Sequence, residues 1–252
     1  MIVAIIQARM GSKRLPGKVL SKIGSKPMIG HILHRVSSVD EIDYCVVATT
    51  NSSEENKLLA WCNEQNVAVF RGSEFDVLDR YYNCALALNA EIIVRITADD
   101  PFKDPKVIAQ AIQILRQNRT LDYCSNTLLP TYPEGLDVEV FTFSALERCY
   151  FNASLSSERE HVTPYIWKNQ NLFQTANFCY KRDLSKLRLT VDERKDLALA
   201  GKLIKIFGEE TMFGVEDIAE LYQRAPSLFD MNSGVERNHG YILSLKGDFD
   251  VI

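Results

Sequence analysis

The chain has 252 residues, 46% of them apolar and 25% charged, and a net charge of -4. That length and balance suffice for the core of one ordinary globular domain, while the mild acidity and the lack of a Lys/Arg run exclude a general nucleic-acid or membrane-surface binder, which works through a field of positive charge. No apolar stretch approaches the roughly 20 residues that span a bilayer, and the opening "MIVAIIQAR" has neither the charged start nor the length of a signal peptide. A cytoplasmic protein is expected.

Apolar β-type runs alternate with helical patterns through the first half. "IVAII" precedes a helix over 27–38, "YCVVATT" a helix over 53–64, and "VAVF" a helix over 76–88; "EIIVRIT" then precedes a helix over 105–116 and "LDYCSN" closes the series. Continuous apolar strands separated by amphipathic helices predict an α/β domain with a mostly parallel sheet covered on both faces. Ligands of such sheets bind beyond the carboxyl ends of the strands.

Past Leu128 the rhythm breaks. "PTYPEGLDVEVF" reads as a loop feeding an antiparallel strand, "SSEREHVTPYIWKN" as a helix interrupted at Thr163-Pro164, and "LFQTANFCY" as a further strand. Helices over 193–207 and 215–224 follow, then a tail from Pro226 rich in loop formers. With no linker and no repeat, one domain over 1–252 is expected, carrying an inserted element at about 128–185. The six cysteines form no CxxC pair and the four histidines no HxxxH pair, so buried free thiols are expected and zinc is not.

The chemistry concentrates in "QARMGSKRLPGKVL", after the first strand. Gly11, Ser12 and Gly17 allow close backbone approach to a polyanion, and Arg9, Lys13, Arg14 and Lys18 supply charge-assisted donors. Walker A spacing fails, because five residues separate Gly11 from Gly17-Lys18 and Val19 stands where the magnesium hydroxyl belongs. A dinucleotide fingerprint fails too, since Pro16 and a lone Gly11 do not make G-x-G-x-x-G.

These residues resemble the opening motif of the cytidylyltransferases that activate 3-deoxy-manno-octulosonate and acylneuraminates, above all their SpsF-like relatives of spore-coat and surface polysaccharide synthesis. "KPMIGHIL", "VVATT", "DVLDRYYNCA", "VRITADDPFKDP", "YPEGLDVEVF", "EREHVTPYI" and "LTVDERKDL" follow in the family's order. The resemblance implies a three-layer, Rossmann-like nucleotide-diphospho-sugar transferase fold and transfer of CMP from CTP to a sugar-type hydroxyl with loss of pyrophosphate. It also implies a homodimer through the inserted strands. Cytidine as the base rests on the resemblance, because nothing in the composition separates CTP from UTP or GTP.

Nucleotidyl transfer uses Mg2+, which takes oxygen ligands from a few carboxylates. Asp99 and Asp100 follow the strand "EIIVRIT", and Asp192 follows "LRLTV". Resemblance places Asp99 where the octulosonate enzymes carry the Asp of a Gly-Asp-Glu-Pro stretch, and Asp192 in a "VDxxxD" stretch; these two are the expected metal ligands. Asp100 and Asp104 read as turn and helix-cap residues, and Asp196 as an exposed helix residue or a partner of Asp192. Arg9 and Lys18 would stabilise the leaving pyrophosphate. Ala8, Gly11, Ser12, Arg14, Thr49 and Arg80 complete the expected nucleotide site, although Arg80 could equally pair with Asp76 one turn earlier.

In "EGLDVEVF" the alternation sets Asp137 and Glu139 on one face, either of a half-exposed edge strand or of an acceptor site. Arg159 and His161 in "EREH" are further candidates for the acceptor. The sequence departs from the ulosonic-acid motifs, which disfavours that acceptor. Two rivals remain at this level: a glycosyltransferase of the same fold, whose DxD motif would have to be "DFD" at Asp248–Asp250 in the tail, and a non-catalytic nucleotide-binding subunit.

Overall fold

The computed structural model describes residues 1–251. Strand β1 (Ile2–Gln7) lies in the middle of the sheet because it is apolar on both faces: Ala4 and Ile6 enter one core, Val3 and Ile5 the other. After it the chain makes a 3₁₀ turn (Lys18–Leu20), a two-residue-strand hairpin, β2 (Lys22–Ile23) with β3 (Lys26–Pro27), and helix α1 (Met28–Val36). Then come β4 (Tyr44–Thr50), α2 (Asn56–Glu64), β5 (Val69–Gly72), α3 (Val77–Ala87), β6 (Ile92–Thr97) and α4 (Pro105–Gln117). The second half contributes β7 (Tyr123–Ser125), β8 (Glu139–Thr142), α5 (Phe143–Asn152), α6 (Ser156–His161), α7 (Pro164–Lys168), β9 (Thr175–Asn177), α8 (Arg194–Phe207), α9 (Val215–Arg224) and α10 (His239–Lys246).

The main sheet has the order β5-β4-β1-β6-β8-β7-β9. β1, β4, β5 and β6 run parallel, β8 is antiparallel to β6 and β7, and β9 is parallel to β7. One core lies under α1, α2, α4, α8 and α9, the other under α3, α5 and α7. The inserted strands thus extend the same sheet and pack into the cores on its two faces.

Helix starts follow their caps. Asp76 accepts the Asp79 N–H at 2.9 Å and Asp104 the Lys106 N–H at 2.9 Å, with Pro105 at the first helical position. The break between α6 and α7 falls at Val162, whose φ of +72° interrupts the helical path just before Pro164.

Two expectations fail and one alternative closes. Of the two readings open for Asp137 and Glu139, the edge strand falls away, because β8 is held between β6 and β7. The tail carries helix α10, pinned beyond its end by Asp248, which accepts from Ser156 Oγ (3.0 Å), Ser157 N (2.9 Å) and Ser157 Oγ (2.7 Å). Of the six free thiols, Cys179 is exposed and Cys45 half-buried, so only four are buried.

Three parallel strands end along one edge. Ala8 N donates to Ala48 O (3.1 Å) and Ala98 N to Gln7 O (3.0 Å), which aligns the segments leaving β1, β4 and β6. Val191 N donates to Asp99 O (2.7 Å) and brings a distant segment to the same edge.

Candidate functional site

The basic loop is a folded turn. Ser12 N and Gly17 N both donate to Met10 O, at 2.9 and 3.0 Å, and Gly17 takes φ +69° ahead of the 3₁₀ turn, a conformation that favours glycine. Its other anchor is Glu55, only 2% exposed, whose carboxylate accepts from Met10 N (3.1 Å), Thr49 Oγ1 (2.9 Å) and Thr50 Oγ1 (3.2 Å). Thr49, expected at the nucleotide, is wholly buried and its hydroxyl donates to Glu55, so its side chain helps to set the loop's position. Arg9, Gly11, Lys13 and Arg14 stand exposed on this turn with Ser12 half-buried beside them, and Ala8 is buried beneath.

The loop delivers Lys18 into a carboxylate pair. Lys18 Nζ lies 2.8 Å from Asp192 Oδ1, 3.1 Å from Asp99 Oδ2 and 3.1 Å from Val191 O. Burial works against the ammonium, but the charges of Asp99 and Asp192 outweigh it and hold the Lys18 pKa above its ordinary value. Burial likewise pushes the Asp99 carboxyl up, and Lys18 reverses that, holding Asp99 well below the usual carboxylate range. Asp192 is the more heavily tied of the two: its Oδ2 meets Arg14 at 2.9 Å and Arg188 at 2.6 Å, and Arg188 also pairs with Glu134 at 2.6 Å. Asp196 is buried, not exposed; it accepts from Asp192 N (2.9 Å), Glu193 N (2.8 Å) and Asn232 Nδ2 (2.9 Å), and so orients Asp192.

Among the described residues no group of three or more His, Cys, Asp or Glu could hold a metal unaided. Magnesium keeps several waters and takes one or two carboxylates with substrate phosphates. Two carboxylates at a strand edge, beside a cationic loop, are the kind of oxygen donor set that suits magnesium held together with a substrate's phosphates.

Beyond Asp99 and Asp192 the edge opens into a cavity of about 510 Å³. Asp137, Glu139 and His161 line it, as the alternation and the "EREH" stretch suggested, together with Arg95, Trp167 and Tyr241, which sequence reasoning missed. Glu139 pairs with Arg95 and accepts from Tyr123 Oη (2.8 Å) and Thr163 Oγ1 (2.5 Å). Asp137 pairs with Arg237, and burial still raises its pKa to about 6.

Arg159 and Arg80 both have protein partners. Arg159 does not reach the cavity: it pairs with Asp76 at 2.6 Å and donates to Tyr150 O and Ala153 O, tying α6 to α3 and α5. Because Arg159 has taken Asp76, Arg80 has no pair there. Arg80 is buried, donates to Ser73 O at 2.7 Å and packs so closely on Gly72 that a Cβ there would sit 3.0 Å from its Cγ. Burial first, and the Arg9 charge against the opposing pull of Tyr81, lower the Arg80 pKa. Asp248, the first acid of "DFD", is occupied in capping α6, which removes the DxD expectation.

His161 contacts Ser244 Oγ at 3.0 Å and the Tyr241 ring edge-on at 5.1 Å. Burial first, then the nearby Arg95 charge, lower its pKa to about 4. Its folded value thus lies below the unfolded one, so its stabilising contribution is complete above about pH 6.5 and is lost as pH falls toward 4. Imidazole NMR should find His161 neutral at pH 5.5; a midpoint at 6 or above would contradict this environment.

The chain matches the family described as Cytidylyltransferase over residues 3–233. It is 40% identical over 240 residues to an uncharacterized protein of Methanocaldococcus jannaschii, covering 94% of this chain and 96% of that one. It is 34% identical over 236 residues to the spore coat polysaccharide biosynthesis protein SpsF of Bacillus subtilis, covering 89% and 95%. A solved cytidylyltransferase from Leptospira borgpetersenii superposes with a TM-score of 0.87 at 33% identity, over 94% of this chain and 99% of that one.

Proposed function

We propose, from the premise that this chain belongs to the cytidylyltransferase family, that it transfers CMP from CTP to a hydroxyl of a sugar-type acceptor and releases pyrophosphate, in the building of a surface polysaccharide. The observation that carries the assignment is the convergence of Lys18, Asp99 and Asp192 at 2.8–3.1 Å where the strands end, between the loop and the cavity. Likeness to SpsF over most of both chains supports the polysaccharide role.

In this transfer the acceptor hydroxyl oxygen attacks the α-phosphorus and gives up its proton to water, while the bond from the α-phosphorus to the bridging oxygen breaks and negative charge collects on the leaving pyrophosphate. Positioning and charge stabilisation dominate such chemistry. Lys18, Arg14 and Arg9 are the cations at the loop that would take up that charge. Asp99 and Asp192 would hold Mg2+, which when bound supplies neutralisation of the triphosphate.

The test is pyrophosphate release with each of the four nucleoside triphosphates over a panel of sugars, sugar acids and alditols. CTP should exceed the others by about tenfold or more. Tight, magnesium-independent nucleotide binding without release would instead mark a non-catalytic nucleotide-binding subunit.

A further inference from the structure

We infer that the segment from Arg237 to Tyr241, with the helix α10 to which it leads, is a separable outer wall of the cavity that selects the acceptor, and that Tyr241 is its contact with that molecule. The inference rests on the cytidylyl-transfer reading and adds the part of the chain that discriminates between acceptors.

Asn238, His239, Gly240 and Tyr241 line the cavity. The Tyr241 ring meets His161 edge-on at 5.1 Å and Trp167 at 5.5 Å, and all three wall the same space. Aromatic rings set among polar groups suit the carbon frame and hydroxyls of a sugar-type molecule. Lys18, Asp99 and Asp192 lie within the residues that match the family, whereas this segment lies past residue 233, where the match ends. A wall outside the matched residues can differ in shape while the groups assigned to phosphate transfer stay the same.

The way the segment is held sets it apart from the core. α10 has no buried residue. At one end Arg237 pairs with Asp137 and donates to Tyr132 O (3.0 Å), and Asn238 N donates to Glu134 Oε1 (3.0 Å). At the other, Ser156 N donates to Phe249 O (2.9 Å), Val251 N donates to Ser154 O (2.8 Å), and Asp248 accepts from Ser156 and Ser157. Between them Ser244 Oγ meets His161 at 3.0 Å and donates to Glu160 at 2.8 Å. An element fixed by polar bonds with little buried apolar surface lies at the low end of local stability and opens without unfolding the rest. Opening uncovers His161 and Trp167 to an incoming acceptor, and docking encloses it. The docked state also reaches the transfer site, because the other oxygen of Glu134 holds Arg188, the partner of Asp192.

Hydrogen exchange on the full-length protein reads the separability: amides of α10 should exchange at least about a hundredfold faster than those of β1. Pyrophosphate release with CTP over the panel of sugars, sugar acids and alditols reads the selection, with CTP binding followed by equilibrium dialysis. Tyr241→Ala should change the ratios of kcat/KM between panel members by about tenfold, acting through the KM for the acceptor. Arg237→Glu, which sets a carboxylate against Asp137 and holds the segment off, should lower kcat/KM for every acceptor by about 10². In both variants CTP should bind within about twofold of wild type. If Arg237→Glu does not fold, Tyr241→Ala, which touches neither end, decides. Unchanged acceptor ratios in Tyr241→Ala overturn the selecting role, and α10 amides as slow as those of β1 overturn the separable wall. CTP binding weakened in step with acceptor use would place the segment at the nucleotide and overturn the proposal, leaving CMP transfer standing. Wild-type protein that binds CTP and releases pyrophosphate with no panel member removes the transfer reading, and this proposal with it.

Discussion

Replacing Lys18 with methionine should lower kcat/KM for CTP by about three orders of magnitude, more than any other single change on the loop. Lys18 is the one loop cation whose side chain is buried, 11% exposed, and its Nζ lies between the two carboxylates that end separate segments of the chain. Methionine keeps an unbranched chain of similar length and removes the ammonium, its charge and its hydrogen bonds to Asp99, Asp192 and Val191 O together. The cation proposed to meet the leaving pyrophosphate is then gone, and Asp99 and Asp192 face each other without their shared counter-charge, which disfavours ionisation of one of them. Stripping one partner from a buried pair costs about 3–5 kcal/mol; the value here should fall near 3, because Asp192 keeps Arg14 and Arg188. Steady-state pyrophosphate release and thermal unfolding measure the two effects. Turnover within about threefold of wild type would show that Lys18 is a structural tie between strand ends and not part of the transfer site.

Much of this arrangement is legible in the residue pattern, and what is not has identifiable causes. Buried parallel strands declare themselves as continuous apolar runs, so "IVAII" and "EIIVRIT" fall on β1 and β6, and Asp76 and Asp104 mark helix starts through short-range bonds. Lys18, Asp99 and Asp192 can be singled out by their place after strands, although their meeting depends on Val191 N reaching Asp99 O across 92 residues of chain. Glu55, Arg188 and Glu134 carry no such local sign. Each is an ordinary charged residue in sequence, and only tertiary contact turns Glu55 into the anchor of the loop and Arg188 into the clamp on Asp192. Arg159 was misplaced for the same reason. Its neighbours in "EREH" suggest a polar site, whereas its partner, Asp76, lies 83 residues away on the opposite side of α6 from the cavity wall formed by His161. The tail looked like loop because α10 has no buried residue of its own; its place is fixed by Tyr241 against His161 and Trp167 and by Asp248 beyond its end.

Asp99→Asn and Asp192→Asn should each reduce magnesium-dependent turnover by about 10³ or more, and they should separate sharply in stability. Asp99 has Lys18 as its ion-pair partner, and its backbone link to Val191 N at 2.7 Å does not depend on the side chain. Asn in its place leaves Lys18 paired with Asp192, so the loss should be only about 1–2 kcal/mol. Asp192 holds Lys18, Arg14 and Arg188 together, and removing its charge leaves Arg188, 5% exposed, leaning on Glu134 and Asp196 alone. There the cost should reach about 3–5 kcal/mol. The acid limb of the stability curve distinguishes them further. Lys18 lowers the folded-state pKa of Asp99 beneath its ordinary value of 3.8. Its contribution is therefore present in full above that value and is lost as pH falls through the depressed folded one. Thermal unfolding from pH 7 to pH 3 should accordingly show the gap between wild type and Asp99→Asn narrowing only at the acid end. A gap that closes already by pH 6 would mean that Asp99 is not held ionised by Lys18, and near-normal turnover in both variants would move the metal away from this edge.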